Sequence, residues 1–153
     1  MKQIVFHILC YLSYVLRPLR RGFYKVLLQK AYEIQGVKFN GKIGYIHYDA
    51  YIDNVGNVEL GNNIVISTKA VILAHDYSVL VKEDVMGGHV EPIAYVKIGD
   101  NTFVGAGAII LPKTIIGNFC IIGAGAVVKG NIPDYSVVVG NPAKIIKSIK
   151  PKM

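Results

Sequence analysis

From Ile98 onward an aliphatic side chain returns every six positions, at Ile98, Val104, Ile110, Ile116, Ile122 and Val128. Four of these six anchors are followed by glycine: Gly99, Gly105, Gly117 and Gly123. Four positions after an anchor the residue is small in five cases of six, namely Thr102, Ala108, Thr114, Cys120 and Ala126; the sixth, Ile132, marks the end of the array. Upstream the period runs through Leu60, Ile66 and Ile72, with Gly61 after the first, and Ile46 and Ile52 carry it further back with an offset of two residues. Residues six apart lie about 120° away from each other around an α-helix, so the pattern cannot build one helical face. Six residues are also too few for a parallel crossover, which needs about a dozen or more. They suit a short strand and a tight turn, and three such units close a triangular coil. Anchors then point to the axis, small residues fit the corners, and glycine is expected where the turn dihedrals resist other residues. Each coil buries its ladder only against its neighbours, which makes the chain a solenoid.

The remaining composition fits one such unit. A length of 153 residues allows one domain, and 52% hydrophobic against 18% charged residues excludes a disordered chain. The net charge of +7 is unevenly placed: residues 1–42 hold eight bases and one acid, whereas the rest sums to zero. Lys144, Lys147, Lys150 and Lys152 crowd the last ten residues. Basic ends around an acidic middle argue against a nucleic-acid-binding body and for ends that meet something anionic. Cys10 and Cys120 form no disulfide framework or metal spacing, which points to a reducing, cytoplasmic compartment.

Residues 1–34 read as helical, because Ile4, Ile8, Leu12, Val15 and Leu19 recur at three- and four-residue spacing. Pro18 predicts a kink or break before Phe23–Ile34. The apolar run Ile4–Leu16 covers 13 residues and stops at Arg17, whereas a spanning helix needs about 20. Arg17-Pro18-Leu19-Arg20-Arg21 stands where a signal peptide would place a small-residue cleavage site, so no signal peptide is expected. Two readings of the helix stay open. It covers apolar surface on the rest of the protein or on another subunit, or it lies at the cytoplasmic face of a membrane. In the second case Tyr11 and Tyr14 sit among headgroups, with Arg17, Arg20, Arg21 and Lys25 on anionic lipid.

The hexads Ile-Gly-Asp-Asn-Thr-Phe, Val-Gly-Ala-Gly-Ala-Ile, Ile-Leu-Pro-Lys-Thr-Ile, Ile-Gly-Asn-Phe-Cys-Ile and Ile-Gly-Ala-Gly-Ala-Val, closed by Val139-Gly140-Asn141-Pro142-Ala143-Lys144, resemble the hexapeptide-repeat acyltransferases. The likeness covers roughly residues 40–147 and is nearest in kind to sugar and polysaccharide O-acetyltransferases of the galactoside and maltose type. It implies a mainly β chain: a left-handed parallel β-helix over 37–147, an N-terminal helical extension over 1–36 and a basic tail over 148–153. The left hand is an exception to the right-handed crossover rule and does not follow from spacing. The resemblance further implies a homotrimer with active sites between subunits.

The period fails once, after Ile72-Leu73-Ala74, where residues 75–95 intervene before Val96-Lys97-Ile98 resumes the ladder. An extended loop of that length in a tight solenoid is a functional candidate, with Gly87 and Gly88 as hinges. His75 stands at its base. In the resembling sugar O-acetyltransferases a His in this place is the general base, which implies that role for His75. Asp76 would point the opposite way in an extended chain, so it is not expected to orient His75; a backbone carbonyl serves as well. His47, one coil earlier, matches by register the place of an acceptor-binding Asn in the resembling enzymes, and His89 inside the loop either touches the acceptor or is solvated. Zinc-binding γ-class carbonic anhydrases share the β-helix, but here the histidines lie 28 and 14 residues apart and no metal site is expected.

Gly105-Ala106-Gly107-Ala108 and Gly123-Ala124-Gly125-Ala126 lie 18 residues apart and should stack on one corner, close to any bound pantetheine. The resemblance puts acetyl-CoA against Phe103, Ala106, Ala124, Lys129 and Gly130, with Lys144 and Lys147 at its phosphates. The expected activity is acetyl-CoA-dependent O-acetylation of a sugar hydroxyl in surface-polysaccharide or glycoconjugate synthesis. An N-acetyltransferase for an amino sugar and a non-catalytic β-helix scaffold are the rivals.

Overall fold

The computed structural model describes residues 2–16, 22–53, 55, 57–88 and 92–150. The anchors Leu60, Ile66, Ile72, Ile98, Val104, Ile110, Ile116, Ile122 and Val128 are all at most 1% exposed, as a six-residue period closing on one axis demands. Thr102, Ala108, Thr114, Cys120 and Ala126 are buried between them at the corners. The strands form three sheets. The first stacks β1 (Lys38–Phe39), β4 (Asn57–Leu60), β7 (Tyr95–Ile98), β10 (Thr114–Ile116) and β13 (Asn131–Ile132). The second stacks β2 (Tyr45–Ile46), β5 (Val65–Ile66), β8 (Phe103–Val104), β11 (Ile121–Ile122), β14 (Ser136–Val139) and β15 (Lys144–Ser148). The third stacks β3 (Tyr51–Ile52), β6 (Val71–Ile72), β9 (Ile109–Ile110) and β12 (Val127–Val128). All pairs are parallel except β14 with β15. Ile98 pairs with Ile116, Val104 with Ile122 and Ile110 with Val128, which is the coil of 18 residues.

The glycines after the anchors have a different reason from the one the repeat suggested. Left-handed dihedrals recur every six residues, but at Asn101, Gly107, Lys113, Phe119 and Gly125, three places after the anchors Ile98, Val104, Ile110, Ile116 and Ile122. A side chain at Gly105 would bring its Cβ within 2.6 Å of the Ala124 nitrogen in the next coil. Gly99 would meet the Gly117 carbonyl carbon at 2.7 Å. The repeat glycine is a stacking requirement between coils, and the turn itself is made by the later residue.

α1 (Lys2–Leu16) and α2 (Phe23–Gln35) pack on each other. The expected break at Pro18 lies outside the described residues. Leu28, Ala31 and Tyr32 of α2 are buried, and Leu28 and Tyr32 join the core cluster of the solenoid. Gln29 ties the helix to the first coil, donating to the Gly41 carbonyl at 3.1 Å and accepting from the Ile43 amide at 3.4 Å. The helices therefore cover the open end of the coil stack. Both cysteines are free, and burial pushes the Cys10 thiol up to about 11.

The loop over 75–95 contains a helix, α3 (Ser78–Met86), which the interruption of the period did not reveal. Asp76 starts it by accepting from the Ser78 amide at 3.0 Å and from the Ser78 hydroxyl. Its Leu80, Val81 and Val85 are exposed.

Stability should follow the axis rather than the surface. Ile110→Ala is expected to lower the unfolding free energy by about 2–5 kcal/mol. Lys97→Ala, which removes an exposed ion pair to Glu59 of 3.5 Å, should cost less than about 1 kcal/mol in the same urea titration.

Candidate active site

The long insertion leaves the solenoid where the third sheet turns into the first, and its two ends are fastened together. Ala94 N–H donates to the Ala74 carbonyl at 2.7 Å and Asp76 N–H to the Pro92 carbonyl at 2.8 Å, while His75 bridges Ile93. His75 is thereby held on a rigid base, with its side chain 23% exposed and its ring centroid 5.0 Å from that of Tyr77.

The group that orients His75 is Asp53, on the same corner one coil earlier. Its fully buried carboxylate accepts from the Ala74 amide at 2.8 Å, from the Val55 amide at 2.9 Å and from Nδ1 of His75. Burial alone would raise this carboxyl, but the Val55 amide, the His75 ring and the Ala74 amide outweigh it and hold Asp53 below the usual carboxylate range. An Nδ1–H given to a carboxylate leaves Nε2 as the free, proton-accepting nitrogen. Asp76 faces away from this pair and caps α3, as the alternation of an extended chain required. Its carboxyl is also held low, first by the Ser78 hydroxyl and further by the charges of Lys82 and Lys129.

Asp53 was missed in the sequence because it lies 22 residues before its partner. A signal was present. Ile46 pairs with Ile66 and Ile52 with Ile72, a coil of 20 residues, and its two extra residues fall between Ile52 and Leu60. The offset in the repeat is the corner that carries Asp53.

The other site candidates divide between two corners. Lys129 and Gly130 lie on the His75 corner, beyond Leu111–Lys113; the Gly130 carbonyl accepts from Ile115 N–H at 3.0 Å. His47, Ala106 and Ala124 lie at the opposite edge of the third sheet. There Gly107 N–H donates to the Thr68 carbonyl at 3.0 Å and Gly125 N–H to the Ala106 carbonyl at 2.9 Å, so the two glycine-alanine turns do stack. His47 also meets a carboxylate through Nδ1, that of Asp49, which in turn accepts from Thr68 Oγ1 at 2.8 Å and Lys69 N–H at 3.0 Å. Against the cost of partial burial, these donors keep Asp49 below its ordinary value. The His47 ring lies 4.5 Å from that of Tyr48. Phe103 is exposed on the outer side of the second sheet, and Lys144 and Lys147 are exposed on β15, opposite Val139 and Val137. His89 lies outside the described residues. Among the described residues no three His, Cys, Asp or Glu side chains are grouped to hold a metal ion.

Residues 95–130 match the family model described as "Bacterial transferase hexapeptide (six repeats)". This is a hexapeptide-repeat chain. It is 34% identical over 110 residues to the "Putative lipopolysaccharide biosynthesis O-acetyl transferase WbbJ" of Escherichia coli K12, a match covering 67% of this chain and 54% of that protein. The chain thus spans about half the length of that relative. Its structure is similar to a maltose O-acetyltransferase from Clostridium difficile 630, with a TM-score of 0.62 and 25% identity over 98% of this chain and 89% of that one. A galactoside acetyltransferase solved in complex with coenzyme A has the same fold, with a TM-score of 0.57 and 22% identity over 97% and 81% of the two chains. The hexapeptide repeat, and the left-handed parallel β-helix implied by the family resemblance, therefore hold.

Asp53 titrates lower in the folded chain than in the unfolded one. Its ionised form therefore contributes stability above the unfolded pKa of about 3.9, and that contribution is lost as pH falls through the lower folded value. Asp53→Asn should be less stable than the parent near about pH 6, with the gap narrowing toward about pH 3 in urea unfolding.

Proposed function

We propose that this chain is an acetyl-CoA-dependent O-acetyltransferase that acylates a sugar hydroxyl, with His75 as general base. The Asp53–His75 pair at the base of the long insertion carries this reading. His75 Nε2 takes the proton of the acceptor hydroxyl as that oxygen attacks the thioester carbonyl carbon. The carbon–oxygen bond forms, the carbon–sulfur bond breaks, and the proton passes from His75 to the departing CoA thiolate. Asp53 fixes the tautomer throughout and stabilises the imidazolium between the two transfers.

The stacked turns at Ala106 and Ala124 offer pantetheine a wall of backbone and methyl groups. Phe103 supplies an aromatic surface, Lys129 and Gly130 lie on the base's side, and Lys144 and Lys147 bring charge to the phosphates. His47 and His89 are assigned to the acceptor. The first group and the base sit at two edges of one sheet, so a homotrimer, with each site shared between neighbours, is part of the proposal. Outward side chains support it: on their parallel strands the second sheet shows Val65, Phe103, Ile121 and Val137 and the third Tyr51, Val71, Ile109 and Val127, whereas the first mixes Lys38, Glu59 and Lys97 with Tyr95 and Ile115. Similarity to the "Putative lipopolysaccharide biosynthesis O-acetyl transferase WbbJ" supports a glycan acceptor. A cytoplasmic setting, where acetyl-CoA is supplied, accords with this reading.

His75→Ala should lower kcat/KM by about 10²–10⁴-fold in a coenzyme A release assay, and a variant as fast as the parent overturns the assignment. Offering sugars beside amino sugars in the same assay tests oxygen against nitrogen as the acceptor atom; preferential N-acetylation would replace this reading by the rival one. In light scattering the parent is expected at three times the chain mass of 16.8 kDa, and Ile121→Glu at the single-chain mass with activity lost.

A further inference from the structure

α1 has two apolar faces, and the protein uses one. Phe6, Cys10 and Ser13 turn inward: Phe6 and Cys10 pack against the core, and Ser13 is buried with its hydroxyl on the Cys10 carbonyl at 2.7 Å. On the other side Ile4, Ile8, Tyr11 and Val15 follow one another at spacings of four, three and four, and they are 65%, 52%, 68% and 43% exposed. Val5 and Leu12, 37% and 39% exposed, widen the stripe. A row of large apolar and aromatic side chains this continuous is not the scattered exposure of an ordinary surface.

We propose that this outer face of α1 docks on an anionic lipid bilayer, with the helix lying in the plane of the interface. Charge selects this occupant. The sequence over residues 1–42 carries a net +7, and α1 contains no acidic residue. α1 carries one base, Lys2, so a second copy of the same helix would bring no acid to pair across the contact. A bilayer with anionic headgroups answers both features: acyl chains take Ile4, Ile8 and Val15, Tyr11 sits at the polar boundary, and the basic N-terminal sequence, which begins the helix with Lys2, meets phosphate. No helix among the described residues is long and apolar enough to cross a membrane. Tyr14 at the end of α1 stacks edge-on against Tyr48 at 5.4 Å, so docking would hold the His47 corner next to the headgroups. The surface is inferred without reference to His75 and stands whether or not His75 is a base.

The test is flotation of the full chain with vesicles of phosphatidylcholine alone and with added phosphatidylglycerol. The parent should float with the anionic vesicles and at least about tenfold less with neutral ones. Ile8→Glu should lose binding by about tenfold or more while keeping the parent's circular dichroism and oligomeric mass, and Ile8→Leu should retain it. Equal flotation of Ile8→Glu and the parent overturns the proposal. So does a parent that ignores both vesicles, or one whose assembly in lipid-free solution falls apart when Ile8 is replaced, since the face would then belong to a copy of the chain.

Discussion

Stacking of one coil on the next, at the separation of hydrogen-bonded strands, is the constraint from which the rest of the molecule follows. Parallel pairing fixes the rise at about 4.8 Å, so every coil must present its backbone at the same heights as its neighbours. Gly99 and Gly105 show how little room is left, because a single Cβ would enter the backbone above. Extra residues can then leave the ladder only at a corner, where a loop costs closure entropy that grows slowly with its length. Both large departures, the two residues after Ile52 and the insertion after Ile72, leave at the same corner on adjacent coils. Asp53 and His75 face each other because their inserts are stacked.

This also explains what could be read in advance. The hexad gave the coil, the buried anchors and the place of the long insertion, because burial on a narrow axis tolerates aliphatic side chains and little else. The same reading misjudged the repeat glycines, since a spacing rule cannot separate a glycine that permits a dihedral from one that permits an approach. The orienting carboxylate was hidden for a related reason: sequence distance measures nothing across coils, and its trace was an offset of two residues with no chemistry attached. α3 escaped because its exposed Leu80, Val81 and Val85 leave no amphipathic signal, and its start depends on the local cap by Asp76.

Two histidine–carboxylate pairs stand at opposite edges of the third sheet, and burial separates them. Asp53 is wholly enclosed and spends its oxygens on His75 and two amides, so the field it exerts on the ring is little screened. Asp49 is 29% exposed and divided among His47, Thr68 and Lys69, and solvent weakens its hold on the ring. The first arrangement suits a base that must keep one tautomer through two proton transfers. The second suits a ring that binds and releases.

The distribution of outward side chains bears on how these edges are used. Were one chain to carry the whole site, the third sheet between the two corners would be expected to show polar side chains toward bound sugar. It shows Tyr51, Val71, Ile109 and Val127, and the parallel strands of the neighbouring second sheet are equally apolar, its Lys144 and Lys147 lying on the antiparallel β15, while the first carries Lys38, Glu59 and Lys97 beside Tyr95 and Ile115. Apolar ladders on two faces of a triangular prism favour burial against copies of the same prism, where each edge of one chain can meet an edge of another. Assembly would then turn two half-sites at the edges of a face into one cleft, and it would do so without any change in the coils themselves.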